Sequence, residues 1–267
     1  MKSTEFAKEV RKLSLEMVYN SKASHIGSAL SMVDILSVLY CDVVKYKSKN
    51  PQWEERDFVI LSKGHACVSL YATLALKNFF DKSELKNYGK NDSNFMNHVS
   101  HKVPGVEFST GSLGHGLPYA VGICLANKSL KNQSLTYVIL GDGELAEGSN
   151  WEALLFASHH NLKNLIVIID YNNLQSLTSV EETLSLNPLS NKLESFGCAV
   201  HNIEGHDHDQ LKETLTSIKS DCSKPTVIIA KTTKGKGVSY MENKVEWHYK
   251  SPDEKQFTQA IQEIANA

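Results

Sequence analysis

"LTYVILGDGELAEG", residues 135–148, joins an apolar β-rich run to two glycines flanking Asp142. The run ends abruptly at the glycines, so Asp142 opens a loop. "NWEALLFASHHN" follows with apolar residues at helical spacing, and "LIVIID" (165–170) is almost wholly apolar, as a strand buried on both faces should be. Strand, helix and strand of these lengths form a parallel βαβ unit. The same pattern extends outward from it. "DFVILS" (57–62) precedes the helical "HACVSLYATLALKNFF", and "GCAVHNI" (197–203) and "PTVIIAKT" (225–232) are separated by the helix "HDQLKETLTSIK". The chain shows no internal repeat, low-complexity tract or linker, so residues 1–267 read as one α/β domain. Its sheet is expected to be doubly wound and mainly parallel, with helices on both faces. Ligands of such sheets bind beyond the carboxyl ends of the strands, which brings together the loops after Leu140, Asp170 and Ala230.

Composition bounds the function. The 267 residues are 41% hydrophobic and 22% charged, ordinary globular material able to bury a core. A formal net charge of −2 argues against a broad surface for nucleic acid. No apolar run approaches the length of a membrane span. The N-terminal "MKSTEFAKEVRKLSLEMVYN" carries charges throughout and reads as an amphipathic helix, not a secretory signal. Five cysteines (Cys41, Cys67, Cys124, Cys198, Cys222) lie far apart without a CxxC pair, which suggests reduced thiols in the cytoplasm.

Chemistry enters with a second loop. "DYNN" (170–173) follows the strand next to that of Asp142, and Asn172 lies 30 residues after Asp142. One carboxylate and one side-chain amide at neighbouring strand ends are hard oxygen ligands, suited to Mg²⁺ or Ca²⁺. Mg²⁺ takes few protein ligands and fills its octahedron from phosphate oxygens and water. Gly141 and Gly143 would let the backbone turn sharply and approach a diphosphate. A helix beginning near Glu147 would point its partial positive end at the same anion. A lone GDG is a common turn; GDG after one parallel strand with NN after the next is far more specific.

The stretch "GDGELAEGSNWEALLFASHHNLKNLIVIIDYNN" resembles the thiamine diphosphate fingerprint, GDG followed about thirty residues later by a double Asn. "SHIGSALSMVDIL" (24–36), "LSKGHACVSLYATL" (61–74), "PGVEFSTGSLGHGLPYAVGICLA" (104–126) and "KTTKGKGVSYMENKVEWH" (231–248) are similar to transketolase segments, in the same order. The resemblance runs from about residue 5 to residue 250. Pyruvate-dehydrogenase-type α subunits share GDG and NN but lack "LSKGHA" and "TGSLGHG".

The resemblance implies particular roles. Asp142, Asn172 and the backbone carbonyl of Leu174 would hold the divalent ion, Mg²⁺ or Ca²⁺. Gly143 would meet the diphosphate, with Gly141 beside it, and Gly111 and Leu113 would lie against the cofactor's middle. Glu147 matches a buried glutamate in a carboxylate network across a protomer interface. His25 and His248 look like the pair that contacts the substrate's reacting oxygens, and His65 like the one near the diphosphate. His98 looks like the donor-binding histidine, with His101 a competitor. An imidazole suits such work because its ordinary pKa allows proton transfer both ways near neutrality. His115 stands where the family commonly has Gln. His159 and His160 read as structural, as does "GHDHDQ" (205–210), whose metal-like composition is explained by a loop and an Asp cap before "QLKETL".

Three departures concern the donor pocket: Ile26 for a usual Pro, and Val99 and Ser100 for the Pro and acidic residue after His98. The largest is length. The family's usual chain is more than twice as long and carries a pyrimidine-binding domain that supplies the activating glutamate and most substrate-phosphate ligands. The resemblance therefore implies the N-terminal subunit of a split transketolase, working with a C-terminal partner in an α2β2 assembly. That pair would transfer a two-carbon ketol unit between sugar phosphates. The alternatives are a subunit of a deoxyxylulose-phosphate-synthase-like or 2-oxo-acid-dehydrogenase-type enzyme, and a cofactor-binding relic without turnover. Intact Asp142, Asn172 and the histidines disfavour the relic.

Overall fold

A computed structural model of the chain describes residues 1–220 and 223–266. Three helices come first: α1 (Ser3–Ser21), α2 (Ile26–Ser31) and α3 (Val33–Val38). They are followed by β1 (Phe58–Leu61), α4 (Cys67–Leu76), α5 (Gly116–Ser129), β2 (Thr136–Gly141), α6 (Gly148–His159) and β3 (Leu165–Tyr171). The remainder is α7 (Val180–Leu184), α8 (Leu189–Ser195), β4 (Ala199–Glu204), α9 (His208–Ser220), β5 (Thr226–Lys231) and α10 (Glu254–Asn266).

Each sequence-predicted strand forms, within about two residues of its expected ends. All lie parallel in one sheet of order β1-β2-β3-β5-β4. The helices sort by the right-handed crossover rule. The connections to β2, β3 and β4 advance in one direction and bring α5, α6 and α8 onto one face through Leu117, Leu154 and Leu193. The step from β4 back to β5 reverses direction and puts α9 on the other face with α1, α3 and α4. Strand β3 shows why both faces must be apolar. Ile166 and Ile168 join the α9 side, while Leu165, Val167 and Ile169 join the α5–α6 side.

One capping detail differs from expectation. The carboxylate that caps α9 is that of Asp207, which accepts from Gln210 N–H at 2.9 Å, and not the Asp209 adjacent to "QLKETL". The helix begins a residue before Asp209, and the cap must precede the first helical residue. Cys41, Cys67, Cys124 and Cys198 are unpaired; Cys222 lies outside the described residues. No helix among the described residues is long and apolar enough to cross a membrane.

Because Ile168 is fully buried at the centre of the sheet, Ile168→Ala should cost about 2–5 kcal/mol through lost burial and the cavity left behind. Equilibrium urea unfolding should show this as a lower midpoint with an unchanged slope.

Candidate functional site

Register places the carboxyl ends of the central strands side by side: Gly141 pairs with Asp170, and Asp170 with Ala230. Asp170 has no exposed surface. Its carboxylate accepts from Ser31 Oγ and Lys63 Nζ, each at 2.5 Å, and from Thr232 Oγ1. Burial alone would raise its pKa, but the Lys63 ammonium and these hydrogen bonds hold it below the ordinary carboxylate range. One side chain thus ties α2, the loop after β1 and the loop after β5 to the end of β3.

Asp142, the first residue past β2, is oriented by two backbone donors. Gly143 N–H reaches Oδ1 at 2.7 Å and Asn173 N–H reaches Oδ2 at 2.6 Å. The second bond explains the double Asn. Asn173 sits at φ 63°, a left-handed conformation that Asn tolerates better than most residues, and this turns its N–H onto Asp142. Asn172 Oδ1 accepts from Leu174 N–H at 3.1 Å, closing the same turn. Asp142, Asn172 and Leu174 line one cavity of about 240 Å³, with Leu113, His65 and His248 also in its wall.

Burial and the nearby Asp170 carboxylate push Asp142 up to about 6. A buried carboxylate in that state gains most from a bound cation. Among the described residues no group of three or more His, Cys, Asp or Glu side chains could hold a metal by itself. One carboxylate, one amide and one carbonyl suit instead a hard divalent ion that draws its other ligands from phosphate and water. The residues present fit a magnesium diphosphate.

The glycines need a correction. Neither Gly141 nor Gly143 lies in the left-handed region, so neither is required by an unusual backbone angle. Gly143 is required by proximity, because a Cβ there would come within 2.9 Å of the Gln175 side chain. Gly141 has room, its nearest neighbour being the Lys63 side chain at 3.9 Å. Gly111 lies against the His98 ring, where a Cβ would make ordinary contact at 3.7 Å.

Four histidines converge. The His25 ring lies 5.2 Å from His65, 5.7 Å from His98 and 5.0 Å from His248, and His65 and His248 are 5.5 Å apart. His25 adopts φ 72°, uncommon for a residue with a Cβ, and its N–H bonds the His248 carbonyl at 2.8 Å. Burial, with His98 and Lys234 nearby, lowers His25 to about 4; burial and Lys234 lower His248 to about 3. Burial and Lys63 put His65 well below its ordinary value, and burial lowers His98. All four are therefore neutral at pH 7, able to accept a hydrogen bond at one nitrogen and donate one at the other. Lys234 Nζ lies 3.1 Å from His248 Nδ1, which makes Nδ1 the acceptor and leaves the imidazole proton on Nε2.

His98, not His101, meets His25; His101 is exposed and hydrogen-bonded through Nδ1 to Ser109 Oγ at 2.7 Å. His115 is exposed at the start of α5. Glu147 is exposed in the single chain, as the residue preceding α6. The buried glutamate of this loop is Glu144, whose Oε1 accepts from Ser62 Oγ at 2.5 Å and Gly114 N–H at 2.9 Å.

Sequence reasoning also missed Lys63 and Lys234, only 2% and 1% exposed although each is the ordinary surface residue type. Burial and Lys63 lower Lys234 to about 8, and its ammonium donates to the Gln175 carbonyl at 2.7 Å. Both lysines stand inside family-like motifs, "LSKGHA" and "KTTKGKG", directly after strands; that placement was the available signal.

Comparison with known proteins bears on the family and the fold. The family model described as transketolase, thiamine diphosphate binding domain, matches residues 2–264. The chain is 43% identical over 260 residues to one of the subunits of the apulose-4-phosphate transketolase of Actinobacillus succinogenes, covering 97% of this chain and 94% of that protein. It is 37% identical over 259 residues to a 6-deoxy-6-sulfo-D-fructose transketolase subunit of a Clostridium species, covering 97% and 94%. The crystal structure of transketolase from Campylobacter jejuni superimposes with a TM-score of 0.92 at 34% identity, over 98% of this chain but 42% of that one.

The depressed histidines set a pH dependence. In the window from the unfolded value of 6.5 down to about 4, the unfolded chain binds more protons at His25 than the folded chain does. Stability should therefore fall as pH drops from 7 toward 4. An imidazole NMR titration should find His25 and His248 neutral down to pH 5, and His25→Gln should flatten the acid limb of the melting-temperature profile.

Proposed function

Because the chain belongs to the transketolase family, through its thiamine diphosphate binding domain, we propose that it is the diphosphate-binding subunit of a two-chain transketolase. Residues 1–267 would form that one domain, and a C-terminal subunit would carry the pyrimidine-binding domain. The support is that the Actinobacillus subunit is matched over 94% of its own length, whereas the Campylobacter transketolase chain is matched over only 42%. Self-association into an α2β2 assembly follows as an expectation, with exposed Glu147 available to a carboxylate network between protomers.

The observation that carries the reading is the convergence of Asp142, Asn172, Leu174, His65 and His248 on one cavity. Asp142, the Asn172 amide and the Leu174 carbonyl would hold Mg²⁺ or Ca²⁺. Gly143, Lys234 and His65 would hold the diphosphate, with Gly141 beside them, and Gly111 and Leu113 would flank the middle of the cofactor. Thiamine diphosphate, when bound, supplies the carbon that accepts and releases the two-carbon unit. The protein's part is to orient and to move protons. His25 and His248 would exchange protons with the reacting hydroxyl and carbonyl oxygens, and His98 would contact the donor. Low pKa values keep these rings neutral, so each can offer a hydrogen bond at one ring nitrogen and accept one at the other.

The substrate class proposed is a ketose donor and an aldose acceptor with an anionic end group. Apulose-4-phosphate and 6-deoxy-6-sulfo-D-fructose, in the names of two relatives, carry a phosphate and a sulfonate. Among the described residues Cys41, Cys67, Cys124 and Cys198 carry no disulfide, which favours a reducing compartment, the cytoplasm.

Ketol transfer assayed for the chain alone and for the chain mixed with a pyrimidine-domain subunit should appear only in the mixture; turnover by the lone chain would overturn the split assignment. In the mixture, Asp142→Ala should abolish metal-dependent binding of thiamine diphosphate, seen by calorimetry. Binding that survives this change would remove Asp142 from the ligand set.

A further inference from the structure

The "GHDHDQ" stretch, structural by its sequence, converges on a buried carboxylate. Asp34 on α3 is 4% exposed. It accepts from Arg11 Nη2 at 2.5 Å and lies 2.7 Å from His206 Nδ1 and 3.0 Å from His208 Nε2. Burial would raise its pKa, but the Arg11 guanidinium and the hydrogen bonds from the two histidines hold it far below the ordinary range. An ionised Asp34 can only accept, so His206 Nδ1 is the donor of that pair. His206 Nε2 then accepts, and its donor is the backbone N–H of Thr233 at 2.8 Å. Arg11, fixed by the same carboxylate, donates through Nε to the Lys236 carbonyl at 3.2 Å.

These two grips fall on either side of Lys234. Its ammonium reaches the Gln175 carbonyl and His248 Nδ1, both in the wall of the cofactor cavity. We propose that Asp34, Arg11 and His206 form a positioning assembly, which clamps the turn after β5 at Thr233 and Lys236 and so sets Lys234 against the diphosphate and His248. The proposal rests on the reading of that cavity as the thiamine diphosphate site.

Two simpler accounts fail. A metal role for the histidines would need a free ring nitrogen, but His206 uses both of its own, and His208 bonds Asp34 through Nε2 and Ser3 Oγ through Nδ1. A plain tie between α1 and α3 would need only the Arg11–Asp34 pair. It would leave unexplained why His206 and the second arm of Arg11 end on the backbone flanking one buried lysine.

The test uses the full chain and two readouts. Competitive acetylation of amines, followed by mass spectrometry, reports access to Lys234 without any cofactor. Calorimetry with thiamine diphosphate and Mg²⁺, on the chain mixed with the pyrimidine-domain subunit, reports its use. His206→Ala should acetylate Lys234 about tenfold faster and bind cofactor about tenfold more weakly, the worth of a lost buried hydrogen bond. His206→Gln, whose single amide can donate to Asp34 and accept from Thr233 N–H, should restore both. In a Lys234→Ala background, His206→Ala should weaken cofactor binding no further. Unchanged acetylation of Lys234 in His206→Ala, or losses that simply add, would overturn the proposal. Should His206→Ala not fold, His206→Asn serves: it keeps the bond to Asp34 but is too short for Thr233, and the same outcomes decide. A wild-type chain that binds no cofactor even when mixed with the pyrimidine-domain subunit would refute the cofactor reading, while the acetylation arm would still decide the positioning role.

Discussion

A carboxylate without exposed surface stands at the end of the central strand, and its demand for partners organises everything above the sheet. Asp170 cannot be solvated, so its oxygens must be met from within. Ser31 comes from α2, Lys63 from the loop after β1 and Thr232 from the loop after β5. Removing one member of such a buried ion pair costs about 3–5 kcal/mol, because the remaining charge is left uncompensated. The three bonds therefore oblige three separate segments to meet at one point. His25 stands just before α2, His65 two residues after Lys63, and Lys234 two residues after Thr232, so Asp170's partners bring with them one residue of the cavity wall, His65, and two that meet that wall at His248, namely His25 and Lys234.

The buried aspartates Asp34, Asp142 and Asp170 differ in a way that separates scaffold from site. Asp170 is paired with Lys63 and Asp34 with Arg11; both are held below the ordinary carboxylate range. Among the described residues Asp142 has two backbone N–H donors and no ammonium or guanidinium in contact, and it is pushed up to about 6. A buried carboxylate with no cation in direct contact is a place for an incoming one. The lysines follow the complementary logic. Lys63 is committed to Asp170, whereas Lys234 bonds only a neutral carbonyl and an imidazole, which leaves its charge for an incoming anion. A carboxylate in the cavity wall with no cation in contact, and an ammonium bonded to two residues of that wall, suit the two ends of a metal diphosphate.

Much of this was legible before the fold was known. Short apolar, β-rich runs marked the five strands, and their regular alternation with helices marked the parallel sheet, whose strands are buried on both faces. The positions of Asp142 and Asn172 could be read as neighbours because strand ends in a parallel sheet lie on one edge. Three kinds of information could not be read. Lys63 and Lys234 look like surface residues until the ion pair and the cavity are seen. Glu144 and Glu147 are two carboxylates in one loop, and only the approach of Ser62 and Gly114 shows that Glu144 is the one turned inward. The choice between His98 and His101 turned on a three-residue loop whose geometry no periodicity describes.

By itself the sequence determined which residues could be ligands and at which sheet edge they would gather, since both follow from local chemistry and a repeating period. It also determined family membership, through motifs spread along the chain. The tertiary structure alone decided which of those residues are charged, which are neutral and which way they point. Ionisation depends on burial and on partners drawn from distant segments: Arg11 for Asp34, Lys63 for Asp170, Lys234 for His248. Partners separated by tens or hundreds of residues leave no mark on local sequence, so the tuning of this site appears only when the chain is folded.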